Sequence, residues 1–128
     1  MKFSMKDGGF TTDLPYGTLD VSGDEEYGFR PYQLLVSSIA VCSGGVLRKI
    51  LAKKRLKVDD ITIDTEVERD PERADRVTKV SMHFKIQGEG LTEEKIHKAM
   101  ELTRKNCSMV QSVIPAIEVV ETFELVTP

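Results

Sequence analysis

The sequence is poor in the residue types on which metal sites and disulfide-stabilised folds depend. Its 128 residues include two cysteines, two histidines and no tryptophan. The cysteines form no Cys-x-x-Cys pair and the histidines, His83 and His97, are too far apart for metal-ligand spacing, so we predict no metal site. There is no glycine-rich phosphate loop either. Gly88-Glu89-Gly90 is better interpreted as a turn, and we predict no organic cofactor.

The sequence also has little that would direct the chain into a membrane. Its N-terminus shows no apolar region of the kind that a secretory signal requires. The longest uninterrupted apolar or small stretch, from Leu34 to Gly45, is shorter than a bilayer-spanning helix. We therefore expect a cytoplasmic protein without membrane contact. Structural disulfides are rare in that compartment, so the two cysteines are either core residues or chemically active.

An excess of positive charge is missing as well. Lysine and arginine number 18 against 21 aspartate and glutamate, for a net charge of −3, which argues against nucleic acid as a partner. One basic cluster lies between residues 49 and 57. We interpret it as cations that oppose the negative end of a helix rather than as a phosphate-binding patch, because no aromatic residues alternate with them.

What the sequence does contain predicts a single α+β domain over residues 1–128. Short strands are predicted within residues 1–30, and Pro31 begins a helix. This helix is apolar on nearly every side, as expected at the centre of a fold or at a subunit interface. Two strands with period-two alternation follow, then a helix capped by Thr92 and a final strand over residues 117–126. We expect the helices to pack on one face of a largely antiparallel sheet. The inward residues predicted for the second of the two middle strands are Val80, Met82, Phe84 and Ile86.

The two cysteines lie on the two predicted helices. Cys42 is in the middle of the first helix among small residues, including Ser37, Ser38 and Ser43, whose hydroxyls can donate to a thiolate. Cys107 ends the apolar stripe of the second helix, so both thiols are predicted to face the interior. A disulfide between them needs Cα atoms within about 7 Å. A buried cysteine is more often an inert small apolar residue, and that interpretation stays open beside the reactive one.

The segment from Gly28 to Cys42, GFRPYQLLVSSIAVC, resembles the opening of the central helix in OsmC/Ohr proteins. In that family a Gly-x-x-Pro start leads through a Leu-Leu and small-residue run to a cysteine. The second cysteine, in the run KNCS that ends at Ser108, falls where the family keeps its partner cysteine, and the element order agrees over nearly the whole chain. The resemblance implies an OsmC-like fold, with largely antiparallel sheets packed on a long buried central helix. It also implies an intertwined homodimer with two active sites at the subunit interface.

The resemblance implies a function too. Characterised members of the family reduce organic hydroperoxides. By this likeness Cys42 is the thiol that attacks the O–O bond, and Cys107 is the thiol that resolves the resulting sulfenic acid to a disulfide. An external dithiol, of the lipoyl type, or a small thiol then reduces the pair.

The sequence departs from the family at the residues that activate the thiol. The peroxidase members use an arginine from the N-terminal region and a glutamate directly after the helix-opening proline. Tyr32 stands in place of that glutamate, Gln33 follows, and no arginine precedes Arg30. Arg30 is therefore the candidate for the cationic role, with Glu25 or Glu26 to orient it, and its alternative role is a solvated residue at a helix start. The second hypothesis is accordingly a non-enzymatic dimer that binds a small ligand or senses redox state.

Overall fold

A computed structural model describes residues 1–127, which form six strands and three helices. The chain divides into two compact units, of which the first is Met1–Ser37 and the second begins at Ser38. One helix contains residues of both units. The single domain expected over residues 1–128 stays a prediction.

The first unit contains a small antiparallel sheet. Its strands are β1 (Ser4–Lys6), β2 (Gly9–Asp13) and β3 (Thr18–Val21), paired in the order β1-β2-β3. Gly8, in the turn between β1 and β2, has φ +79°, a conformation that favours glycine. A Cβ at this position would lie 2.2 Å from the ring of Tyr27. The short N-terminal strands predicted from the sequence are thus confirmed, with small shifts at their ends.

The long helix α1 (Pro31–Lys53) begins at the predicted proline. In the second unit one side of α1 is buried at the three- and four-residue spacing of a helix face, while Val41 on another side is 71% exposed. The buried residues on that side are Ile39, Ala40, Ser43, Leu47 and Leu51. Burial of α1 in the single chain is therefore uneven, and the homodimer that the family resemblance implies stays a prediction.

The length and composition of α1 are those of a helix that can cross a membrane. The uninterrupted apolar or small stretch from Leu34 to Gly45 is only part of this helix. The apolar core helix of a soluble protein meets the same length and composition criteria. Helix length is therefore weak evidence for a membrane span, and the expected absence of membrane contact stays a prediction.

The second unit contains a three-stranded mixed sheet. Its strands are β4 (Asp60–Asp70), β5 (Arg76–Gln87) and β6 (Glu118–Val126), in the order β4-β5-β6. The β4 and β5 strands are antiparallel, whereas β6 runs parallel to β5. The parallel pairing follows from the helical connection between them, which returns the chain to the same end of the sheet. The prediction of largely antiparallel pairing is thus confirmed, with β6 as the exception.

Two helices connect β5 to β6. The first, α2 (Glu93–Asn106), is capped as predicted by Thr92, whose Oγ1 accepts from the Lys95 N–H at 3.3 Å. The second, α3 (Ser108–Val113), was not predicted, because six residues are too few to show a helical period. The core of this unit contains the predicted inward residues of β5 and the apolar stripe of α2. The residues from these two elements are Val80, Met82, Phe84, Ile86, Ile96, Ala99, Met100 and Thr103.

A pair of substitutions on α2 tests this packing. Ile96 is 0% exposed and Leu102, on the same helix, is 40% exposed. Ile96→Ala leaves a cavity in the core, so we expect it to lower the free energy of unfolding by about 3 kcal/mol. Leu102→Ala should cost under about 1 kcal/mol, because its side chain already contacts water. Urea unfolding followed by circular dichroism measures both, and equal losses would contradict the packing described here.

Candidate active site

The two cysteines come together where α1 passes the junction between α2 and α3. Cys42 lies at the middle of α1 and is partly exposed, while Cys107 is fully buried, and both are free thiols. The Cys107 thiol is close enough to Cys42 to lower its pKa as a hydrogen-bond donor. The sequence predicted that both thiols face the interior. The structure adds that they are neighbours, and that only one of them reaches solvent.

Cys107 is the single residue between α2 and α3, and its backbone is extended, with φ −82° and ψ 108°. This break ends one helix and starts the next. The Cys107 N–H donates to the carbonyl oxygen of Thr103 at 2.9 Å, and Cys107 Sγ accepts from the Val110 N–H at 3.5 Å. The break also leaves the first N–H groups of α3 without partners inside the helix. Those of Ser108 and Met109 hydrogen-bond to Cys42.

Two serines complete the contacts around the thiols. The hydroxyl of Ser43, which is fully buried, donates to Cys107 Sγ at 3.4 Å. The hydroxyl oxygen of Ser108 lies 3.7 Å from Cys42 Sγ. The sequence had suggested serines near Cys42 on α1 as donors to Cys42. Ser43 instead donates to Cys107. The hydroxyl next to Cys42 belongs to Ser108, the residue after Cys107, and sequence spacing alone does not predict this contact.

A glycine allows α1 to lie close to the sheet beside this site. A Cβ on Gly44 would come within 2.9 Å of Cδ1 of Ile63 on β4, closer than such contacts normally are. The close neighbour is a side chain, and α1 continues as one α-helix through this position.

The pKa of the Cys42 thiol lies below its ordinary value. The backbone N–H of Met109 contributes most, because a hydrogen bond to the sulfur stabilises the thiolate. Burial opposes this and raises the pKa, while the Cys107 side chain and the hydroxyl and N–H of Ser108 lower it further. All of the groups that lower the pKa are neutral donors. Cys42 is thus activated without a charged neighbour among the groups that cause the shift.

Arg30, the predicted cationic residue, belongs to the first unit. Its guanidinium lies 4.9 Å from the centre of the Tyr32 ring, at cation–π distance, and its backbone N–H donates to Oε1 of Gln33 at 3.4 Å. Within the described part of the chain it forms no ion pair with Glu25 or Glu26, the residues expected to orient it. A role for Arg30 in catalysis stays a prediction.

Among residues 1–127, no group of three or more histidine, cysteine or acidic side chains is arranged to hold a metal. His83, on the exposed face of β5, hydrogen-bonds through Nδ1 to Thr122 and through Nε2 to Glu124. His97 pairs with Glu101, one turn later on α2, at 3.0 Å. Both histidines have carboxylate partners outside the thiol site.

Comparisons with known proteins identify this fold. A family model described as "OsmC-like protein" matches residues 22–122. The chain is similar to a hypothetical protein from Aquifex aeolicus VF5, with 23% identity and a TM-score of 0.88 over 99% of this chain and 95% of the other. It is similar to an OsmC-like protein from Mycoplasma pneumoniae, with 14% identity and a TM-score of 0.83 over 98% of each chain.

A third similar structure is an organic hydroperoxide resistance protein OsmC from Legionella pneumophila. It has 16% identity and a TM-score of 0.75 over 96% of this chain and 93% of the other. No curated protein sequence matches the chain. At these identities the structural likeness shows the fold alone, and it confirms the OsmC-like α+β fold predicted from the sequence.

The donors around Cys42 predict how its reactivity depends on pH. Removing a donor destabilises the thiolate, so Ser108→Ala should move the midpoint of Cys42 alkylation by iodoacetamide to higher pH, by up to about one unit. Ser112→Ala is the matched control. The Ser112 hydroxyl donates to the Ser108 carbonyl at 2.7 Å and not to Cys42. The substitution removes a neighbouring hydroxyl on α3 that is not among the groups that shift the pKa of Cys42. An unchanged midpoint in Ser108→Ala would contradict the assigned contact.

Proposed function

The chain belongs to the OsmC-like protein family, and we propose that it is a thiol-dependent peroxidase that reduces organic hydroperoxides. The observation that carries the proposal is the closeness of two unequal thiols. Cys42 is partly exposed and has a lowered pKa, and it lies beside the fully buried Cys107. This asymmetry suits a cycle in which the exposed thiol attacks the peroxide and the buried thiol then forms the disulfide.

In the first step the Cys42 thiolate attacks the terminal oxygen of the hydroperoxide. The O–O bond breaks, the alkoxide takes up a proton and leaves as an alcohol, and Cys42 is oxidised to a sulfenic acid. The donors that lower the pKa of Cys42 raise the share of the thiolate form that this attack requires. The partial exposure of Cys42 gives the peroxide access.

In the second step Cys107 loses its proton and attacks the sulfur of the sulfenic acid. A disulfide forms and the sulfenic oxygen leaves as water, taking up the proton. The closeness of the two side chains supports this step, since the Cys107 thiol already acts on Cys42 as a neighbouring donor. An external dithiol of the lipoyl type, or two small thiols, then supplies the two electrons that restore the reduced pair.

The substrate class and the assembly are parts of the same proposal. The family membership and the name of the Legionella pneumophila relative, an organic hydroperoxide resistance protein, support an organic hydroperoxide. Exposed apolar side chains support an intertwined homodimer, because such surfaces mark protein–protein contacts. They include Phe3, Phe10, Phe29 and Val41. A cytoplasmic location fits a site that must be kept reduced.

Arg30 is the proposed cationic residue for binding the peroxide. Support comes from the sequence, in which no arginine precedes it, and from the family's use of an N-terminal arginine. The Cys42 site also has its own neutral donors. Loss of Arg30 should therefore slow peroxide consumption by less than the loss of Cys42 does.

The second candidate function is a redox-sensing dimer without turnover. The replacement of the family's glutamate by Tyr32, together with the absence of charge among the groups that activate Cys42, favours it. Such a protein would form the same disulfide once and would then remain oxidised in the presence of dithiols. Turnover is consequently the property that separates the two functions.

Cysteine variants provide the test. Reduced protein is mixed with cumene hydroperoxide and a dithiol, and peroxide loss is followed over time. We expect Cys42→Ser to lower the rate by at least about a hundredfold, since it removes the nucleophile. In a separate assay without the dithiol, Cys107→Ser should consume one equivalent and stop at a sulfenic acid on Cys42 that a dimedone probe traps.

Other results would point elsewhere. If Cys42→Ser consumes peroxide as fast as the unaltered chain, the peroxidase proposal fails. If the unaltered chain forms its disulfide once and does not turn over with any dithiol, the sensor replaces the enzyme as the proposed function.

A further inference from the structure

The cysteines and serines of the site are paired crosswise. Cys42 and Ser43 are neighbours on α1, and Cys107 and Ser108 are neighbours at the junction of α2 and α3. The Ser43 hydroxyl nevertheless donates to Cys107 Sγ at 3.4 Å, and Ser108 Oγ lies 3.7 Å from Cys42 Sγ. Each serine therefore contacts the thiol of the other segment.

The two thiols have different surroundings as a result. Cys42 meets solvent and contacts the hydroxyl and N–H of Ser108 and the N–H of Met109. Cys107 is fully buried, and its Sγ accepts from only two donors that the structure describes, the Ser43 hydroxyl and the Val110 N–H at 3.5 Å. The titratable group beside Cys107 is the Cys42 thiol.

We infer that Ser43 is a positioning residue for Cys107, and that it governs the second step of the thiol cycle rather than the first. The inference rests on the proposed thiol–disulfide function and assigns a residue to its resolving half. When Cys107 gives up its proton, negative charge develops on a sulfur that is shielded from water. Such a charge is costly unless donors point at it, and the Ser43 hydroxyl is one of the two that do.

The step in which Ser43 acts is the same whichever oxidant has modified Cys42. The Cys107 sulfur, after losing its proton, attacks Cys42 Sγ, and the S–S bond forms with an electron pair from Cys107. The bond between Cys42 Sγ and its leaving group breaks, and the leaving group departs with that bond's electrons. The leaving group is hydroxide from a sulfenic acid or a thiolate from a mixed disulfide, so a disulfide reagent can replace the peroxide.

The test uses the full reduced chain and dithiobis-nitrobenzoate, an aromatic disulfide that releases a coloured thiolate at each exchange. Cys42 releases the first equivalent as it forms a mixed disulfide. Cys107 releases the second as it closes the Cys42–Cys107 bond. The rates of both releases are measured across a range of pH. We expect Ser43→Ala to slow the second release about tenfold relative to the first, and to move the pH profile of the second release upward.

Matched variants separate positioning from folding. Thr103→Val removes another fully buried hydroxyl, whose hydrogen bond goes to the Ala99 carbonyl at 2.8 Å, and should keep the ratio of the two releases near that of the unaltered chain. Ser43→Gly removes the same hydroxyl as Ser43→Ala in a helix that already contains Gly44 and Gly45, and should reproduce its effect. Urea unfolding of each variant establishes that it is folded.

The outcomes distinguish the inference from the function on which it rests. If Ser43→Ala and Ser43→Gly slow both releases equally, or leave the pH profile of the second in place, the inference is overturned even where the unaltered chain reduces peroxides. If they slow the second release selectively while the unaltered chain consumes no peroxide, the assignment of Ser43 stands and the peroxidase proposal fails.

Discussion

The site depends on one contact, in which the middle of α1 meets the break between α2 and α3 closely enough for the Cys107 thiol to lower the pKa of Cys42 as a hydrogen-bond donor. Several local features serve this contact. Small residues follow Cys42 on α1, Gly44 lets that helix lie against Ile63, and the extended backbone at Cys107 divides what would otherwise be one helix. Because each of the two helices packs an apolar face into the core, the packing that stabilises the second unit also holds the two thiols near each other.

The chemistry of the site follows from neutral donors. Peroxide-reducing thiols are commonly activated by a positive charge, which acts over several ångströms and is weakened by salt. Here the groups that lower the pKa of Cys42 are N–H, O–H and S–H donors within hydrogen-bond reach, and burial works against them. Hydrogen bonds of this kind act only at short range, so the reactivity of Cys42 is tied to the local geometry of residues 107–109. The same geometry places the Ser43 hydroxyl as a donor to the buried Cys107. Each thiol therefore has a serine hydroxyl from the other segment beside it.

Much of the fold could be predicted from the sequence, because it rests on periodic burial. The alternation that ends in Phe84 and Ile86 and the stripe that leads to Cys107 are both repeated patterns of side chains, and the structure has them as expected. The parallel direction of β6 and the helix α3 could not be predicted. The first depends on the connection between the strands, and six residues are too few to show a helical period. The site was predicted as Cys42 and Cys107, with Arg30 as the candidate cation and serines of α1 as donors to Cys42. The contacts of Ser43 with Cys107 and of Ser108 with Cys42 depend on the relative rotation of two segments that are distant in sequence. Residue spacing does not predict that rotation.

The central claim is that Cys42 and Cys107 form one redox pair, and peptide mapping tests it most directly. Reduced protein is treated with one equivalent of an alkyl hydroperoxide, its remaining thiols are blocked, and its peptides are analysed by mass spectrometry without reduction. The account predicts a single cross-linked species in which Cys42 and Cys107 of the same chain are joined by a disulfide. Recovery of both cysteines as blocked free thiols, or of Cys42 as a sulfinic or sulfonic acid beside an unaltered Cys107, would contradict it.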